Sequence, residues 1–152
     1  MLVNRILFED NHLIAINKKS SEIVQGDRTG DSTMPDAIKA YLKEKYNKPG
    51  NVFCGVIHRL DRPTSGVILF ARTSKGLERM NKQFRDQQTS KTYWAILENK
   101  PPNEEGTLIN HVKKNEKQNK SYVTSKDTKG SKEAILNYRL ISSSERYHLV
   151  DI

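Results

Sequence analysis

The amino-acid sequence predicts an α+β fold, with a mixed, mainly antiparallel sheet and flanking helices. Three patterns lead there. Short apolar runs recur between polar turns, two longer segments repeat their apolar residues at helical spacing, and 152 residues are enough to bury a core. No internal repeat and no dividing linker is evident, so residues 1–152 read as one domain.

The chain opens with two short strands, Arg5–Phe8 and Leu13–Asn17, separated by the polar turn Glu9–His12. A polar, glycine-containing stretch then leads to Ser32 or Thr33, either of which can cap a helix. Pro35 suits a first helical turn, where its missing N–H has no helical partner to lose, and Ile38, Tyr41, Leu42 and Lys45 follow at helical spacing. Lys48-Pro49-Gly50 is expected to end that helix. Val52–His58 is mostly apolar and can enter the core, Arg59 to Gly66 interrupts it, and Val67–Ala71 reads as a buried strand.

Thr73 or Ser74 can cap the second helix, whose stripe of Leu77, Met80 and Phe84 suits core packing while Lys75, Arg79 and Lys82 face solvent. Lys91–Glu98 is the next strand, with Tyr93 and Trp94 projecting to opposite sides. Pro101-Pro102 and Gly106 punctuate a loop, and further strands are expected at Thr107–Val112, Ser121–Ser125, Ala134–Ile141 and Tyr147–Ile152. The last strand has no polar tail. Either it lies at a sheet edge or the natural protein continues; we expect continuation, and so a domain incomplete at its C-terminal end.

Composition narrows the functional classes. Twenty-six Lys and Arg against eighteen Asp and Glu give a net charge of +8, which favours a polyanionic partner or simply a soluble basic protein. Between His111 and Lys132, seven lysines face two acids, a local +5 that suits either nucleic acid or a solvated hairpin. The one cysteine, Cys54, excludes an internal disulfide and fits a reducing, cytoplasmic compartment; so close to a charged motif it still reads as a small buried side chain. Four scattered histidines offer no metal-ligand spacing, so no metal is expected. Apolar runs such as Gly66–Ala71 are far too short to cross a bilayer, and nothing near Met1 resembles a signal peptide, so no membrane partner is expected.

The densest chemical signal is the run from His58 to Gly66, HRLDRPTSG. It sets two guanidinium groups, an imidazole and a carboxylate between apolar stretches, and Pro63 and Gly66 imply a shaped loop. Flanking strands could present such a loop to a cleft. From the residues alone, an ion-paired turn of Arg59, Asp61 and Arg62 is the preferred reading.

His58-Arg59-Leu60-Asp61 followed by Thr64-Ser65-Gly66 resembles the signature of the RluA-like family of pseudouridine synthases. Val67 to Thr73 is similar to its continuation, and Lys91-Thr92-Tyr93 resembles the family's Lys-x-Tyr motif. The strand ending in Asn17-Lys18 and the stretch from Glu133-Ala134 to Tyr138 also resemble family segments. The resemblance implies isomerisation of a uridine in ribosomal or transfer RNA to pseudouridine, without metal or organic cofactor and with no DNA partner. It implies that Asp61 is the essential carboxylate, that Tyr93 stacks near the target base, and that Arg59 helps displace the uridine from its stack. Arg62 and Lys91 are then candidate RNA-facing cations, Lys91 being equally readable as a strand lysine with its stem laid along the sheet. His58, Thr64, Ser65 and Gly66 are candidates for supporting the loop.

Family catalytic domains normally extend beyond the segment resembling Tyr147–Ile152, into a motif whose basic residue pairs with the catalytic aspartate. The family's optional small N-terminal RNA-binding domain is not expected here, because the resemblance begins almost at Met1. A catalytically inactive or partner-dependent RNA-binding fragment of the same fold is therefore a competing reading. A base-removing, glycosidase-like enzyme is a third. They are separated by their products: pseudouridine, none, or free uracil.

Overall fold

The computed structural model describes residues 2–26, 30–118 and 120–152. Met1, residues 27–29 of the polar stretch before Ser32, and Asn119 of the lysine-rich run lie outside the described residues. The chain divides into two compact units, Met1–Thr89 and Ser90–Ile152.

The first unit is built on a four-stranded sheet: β1 (Ile6–Glu9), β2 (Leu13–Lys18), β3 (Gly55–Val56) and β4 (Gly66–Ala71), ordered β1-β2-β4-β3 with every neighbour antiparallel. Alternation along β2 and β4 sends Ile14, Ile16, Ile68 and Phe70 to one face, where Ile38 and Leu42 of helix α1 (Met34–Lys45) and Met34 and Val24 complete the core. Each of these large side chains removed from water contributes about 1.5–3 kcal/mol.

Helix α1 starts at Thr33 rather than Ser32. The Thr33 hydroxyl accepts from the Asp36 amide at 3.3 Å, and the Asp36 carboxylate accepts from the Thr33 amide at 3.1 Å. The helix ends earlier than Lys48-Pro49-Gly50 suggests. Asn47 takes a left-handed φ of 46°, and the Asn47 and Lys48 amides fold back onto the carbonyls of Glu44 and Lys43. That pattern consumes the last carbonyls before Pro49 is reached.

Helix α2 (Ser74–Arg85) is capped by Thr73, whose hydroxyl accepts from the Gly76 amide at 3.0 Å. Gly76 lies so close to the β1–β2 turn that a Cβ there would sit 2.8 Å from the His12 carbonyl oxygen. The stripe of Leu77, Met80 and Phe84 is half-buried rather than fully enclosed.

The second unit is a five-stranded sheet of β5 (Trp94–Leu97), β6 (Glu105–Asn115), β7 (Lys120–Thr124), β8 (Lys132–Ser143) and β9 (His148–Asp151), ordered β5-β9-β8-β6-β7 and antiparallel throughout. Of the two readings left open for the last strand, the sheet edge does not hold, because β9 lies between β5 and β8. Two expectations change here. Gly106 belongs to β6, paired with Tyr138, and does not punctuate a loop. The strand expected from Lys91 begins at Trp94, although Tyr93 extends the ladder by exchanging both backbone hydrogen bonds with Ile152 at 2.8 Å. Among the described residues of this unit Val150 is the one buried hydrophobic side chain, and Trp94 and Ile96 stand 74% and 72% exposed. No helix among the described residues is long and apolar enough to cross a membrane.

Candidate active site

The HRLDRPTSG run is the connection between β3 and β4, which pair as Gly55 with Ala71 and Val56 with Phe70. The loop therefore leaves and re-enters one antiparallel hairpin, and its two ends are fixed by the sheet. Gly66 closes it with φ of 136°, a conformation open to glycine and strained for other residues. Leu60 turns inward against the core of the first unit, whereas Arg59, Asp61, Arg62 and Ser65 are exposed.

Lys18 sets the shape between those ends. It is the last residue of β2, pairs with Gly66, and is completely buried. Its ammonium group donates to the carbonyl oxygens of Thr64 at 2.6 Å, Asp61 at 3.1 Å, Arg62 at 3.2 Å and Lys19 at 3.2 Å. Three N–H groups serve four acceptors, so at least one hydrogen bond is shared. Burial pushes the Lys18 pKa down, while the charges of Glu22 and Asp61 oppose that shift. A buried lysine is stable here because the loop's carbonyls replace its water shell.

The same carbonyls receive further support. Thr64 N–H donates to Asp61 O at 3.0 Å, closing a four-residue turn, and Ser21 N–H donates to Arg62 O at 2.8 Å from a left-handed φ of 74°. Thr64 thus supports the loop through its backbone. Glu22 orders the adjoining segment: it accepts from Lys19 N–H at 2.7 Å and from both Arg5 terminal nitrogens at 2.6 and 2.8 Å. The Arg5 hydrogen bonds hold its carboxyl below the usual range despite partial burial.

His58 fixes the entrance to the loop. Its Nε2 accepts from the Leu69 amide at 3.1 Å, which requires that nitrogen to be unprotonated, and its ring stacks on Phe84 of α2 at 5.1 Å. It acts on the backbone of β4, so a proton-shuttling role is not needed to account for it. Arg59 donates to the Gln25 side chain at 3.2 Å and Arg62 pairs with Asp31 at 3.0 Å; both contacts are exposed. Cys54 packs at the edge of the core, and burial pushes its thiol up to about 12.

One loop thus gathers His58, Arg59, Asp61, Arg62, Thr64, Ser65 and Gly66. Lys91 and Tyr93 belong to the second unit, both exposed, Tyr93 at 38%. The residues that sequence reasoning passed over are Lys18, Ser21, Glu22, Gln25 and Asp31. For Lys18 a signal existed: it stands in phase with Ile14 and Ile16, on the buried face of β2.

An exposed carboxylate on a backbone fixed by hydrogen bonds, in one loop with two exposed guanidinium groups, can attack an electrophilic carbon while the cations hold a polyanion. Comparison with known proteins gives the family. The family model described as RNA pseudouridylate synthase matches residues 12–152, across both units. The chain is 33% identical over 143 residues to the ribosomal large subunit pseudouridine synthase C of Rickettsia prowazekii, covering 94% of this chain and 45% of that protein. It is 29% identical over 137 residues to an uncharacterized RNA pseudouridine synthase of Synechocystis, covering 90% and 42%. In fold it is similar to human RNA pseudouridylate synthase domain containing 4, with a TM-score of 0.80 at 23% identity, covering 99% of this chain and 58% of the human one. The chain therefore spans about half the length of the relatives it matches. With a family match running over residues 12–152, through both units, the chain belongs to the RNA pseudouridylate synthase family.

Proposed function

We propose that this chain forms part of a catalytic domain that isomerises a uridine of ribosomal or transfer RNA to pseudouridine, with Asp61 as nucleophile. The observation that carries the reading is Asp61 itself: its side chain is exposed while its backbone is tied down from beneath by buried Lys18. Such an arrangement presents a carboxylate without letting it wander, which is what attack on a bound sugar requires.

The chemistry balances without redox change. An Asp61 oxygen attacks C1′ and the bond to uracil N1 breaks, the base leaving with the electron pair. The base turns, C5 bonds to C1′ as the Asp61 ester cleaves, the C5 proton is lost and N1 gains one. A helix buries these atoms, so the nucleotide must first be turned out of its stack. Arg59 supports the opened strand, Arg62 and Lys91 contact phosphates, and Tyr93 offers a face to the free base, a stack worth about 1–3 kcal/mol. Work on RNA in the cytoplasm fits the single, unreactive thiol.

Incubation with bulk RNA followed by nucleoside analysis tests the reading. The expected product is the carbon-linked isomer, absent with Asp61→Ala. Release of free uracil would instead make the protein a base-removing enzyme, and RNA binding without either product would make it a binding module of the same family.

A further inference from the structure

The lysine-rich run His111–Lys132 takes no part in the site described above. β6 pairs with β8 only as far as Val112, opposite Lys132; from Lys113 to Asn115 it pairs with β7 alone. The tip of this hairpin is thus a two-stranded ribbon. Tyr122 stands there, 49% exposed.

Register decides what surrounds it. Lys113 is directly opposite Tyr122 and Asn115 opposite Lys120, so all four share one face, continued inward by His111 and Thr124. Lys114 and Ser121 alternate to the other face, where Lys114 pairs with Glu116 at 3.1 Å. That acid therefore engages the opposite face. The acid on the Tyr122 face is Glu133, opposite His111 and inward of the tip. The Tyr122 hydroxyl donates to Gln118 Oε1 at 2.6 Å, restraining the ring through its edge.

We propose that this ribbon is a second RNA-contact surface: Tyr122 stacks an unpaired base while Lys113 and Lys120 hold the neighbouring phosphates. The proposal rests on the RNA-modifying reading and extends it to residues outside the HRLDRPTSG loop. An aromatic ring between two lysines is the arrangement that binds single strands, since every unpaired base has an open π face and every linkage a charge. Paired RNA does not fit it, because the bases of an A-form helix are stacked on each other and its deep groove is too narrow for side chains to read.

Binding of an oligouridylate single strand and of an RNA duplex of equal length is measured by fluorescence anisotropy over a range of salt, with the full chain. Tyr122→Ala is expected to weaken single-strand binding about fivefold or more and Tyr122→Phe to leave it unchanged. Replacing both Lys113 and Lys120 by Ala is expected to flatten the log–log salt dependence by about 1.4. Duplex binding is expected not to respond to Tyr122→Ala. Unchanged single-strand binding in Tyr122→Ala, equal losses on duplex and single strand, or no RNA binding by the wild-type chain would each overturn the proposal. Pseudouridine formation separates it from the reading it rests on. If the wild-type chain makes pseudouridine while Tyr122→Ala binds normally, only the ribbon fails; if it makes none while Tyr122→Ala loses binding, only the enzymatic reading fails.

Discussion

The ammonium nitrogen of Lys18 lies 2.6 Å from the carbonyl oxygen of Thr64, joining the last residue of β2 to the far limb of the loop that carries Asp61. Lys18→Met keeps the length and the apolar stem but strands buried carbonyls, each worth about 1–3 kcal/mol when left unsatisfied. The variant is expected to unfold at lower urea and to lose turnover at least tenfold, with RNA binding much less affected. Wild-type stability in urea would show that the four carbonyls do not depend on the lysine.

Gly66 has φ of 136°, and the nearest atom to an added Cβ would be a Leu60 methyl at 4.0 Å. Space is available, so the cost of Gly66→Ala is one of backbone conformation, about 1–3 kcal/mol. Thermal unfolding is expected to fall accordingly, and activity to fall further because the closing residue of the Asp61 loop is displaced. A melting temperature equal to wild type would contradict the assigned backbone strain.

Acid should destabilise the first unit. Glu22 has its pKa lowered by hydrogen bonds from Arg5 and the Lys19 amide, and for Glu9 burial is outweighed by hydrogen bonds from Tyr46, Lys45 and Tyr41 and by the charge of Arg72. A carboxylate with a depressed folded-state pKa stabilises fully above its ordinary value, here 4.5, and that stabilisation is lost as pH falls through the lowered value. Unfolding free energy should therefore be level above about pH 5.5 and decline below 4.5. In Glu22→Gln the decline should be shallower; an identical slope would exclude Glu22 as a contributor.

The Cys54 thiol, with burial holding its pKa at about 12, is expected to react slowly with iodoacetamide in the native protein at pH 8. Labelling should accelerate by at least tenfold on unfolding. Fast native labelling would mean that the segment 52–56 opens readily.

Legibility of the sequence followed how local each feature is. The helix starts, each narrowed to two neighbouring capping residues, the strands β2 and β4, and the shaped loop between His58 and Gly66 are set by neighbouring residues, and they were readable. The end of α1 was misplaced because Asn47, a less obvious punctuator than Pro49-Gly50, already adopts the left-handed conformation. Gly106 looked like a loop residue, but it pairs in β6 with Tyr138, 32 positions away, whose hydroxyl oxygen would come 2.9 Å from an added Cβ. Lysine is so rarely buried that the phase of Lys18 with Ile14 and Ile16 was easily passed over, and nothing local announces the four carbonyls that make its burial tolerable.

The central claim concerns the carboxylate of Asp61, and it is tested most directly by single-turnover pseudouridine formation in Asp61→Asn, normalised to the RNA bound. The substitution keeps the size of the side chain and leaves the backbone carbonyl available to Lys18. Fold and RNA affinity are therefore expected to match the wild type while the rate falls by a factor on the order of 10⁴ or more. Pseudouridine formed by Asp61→Asn at a rate within tenfold of wild type would show that the bond-making oxygen belongs to another residue.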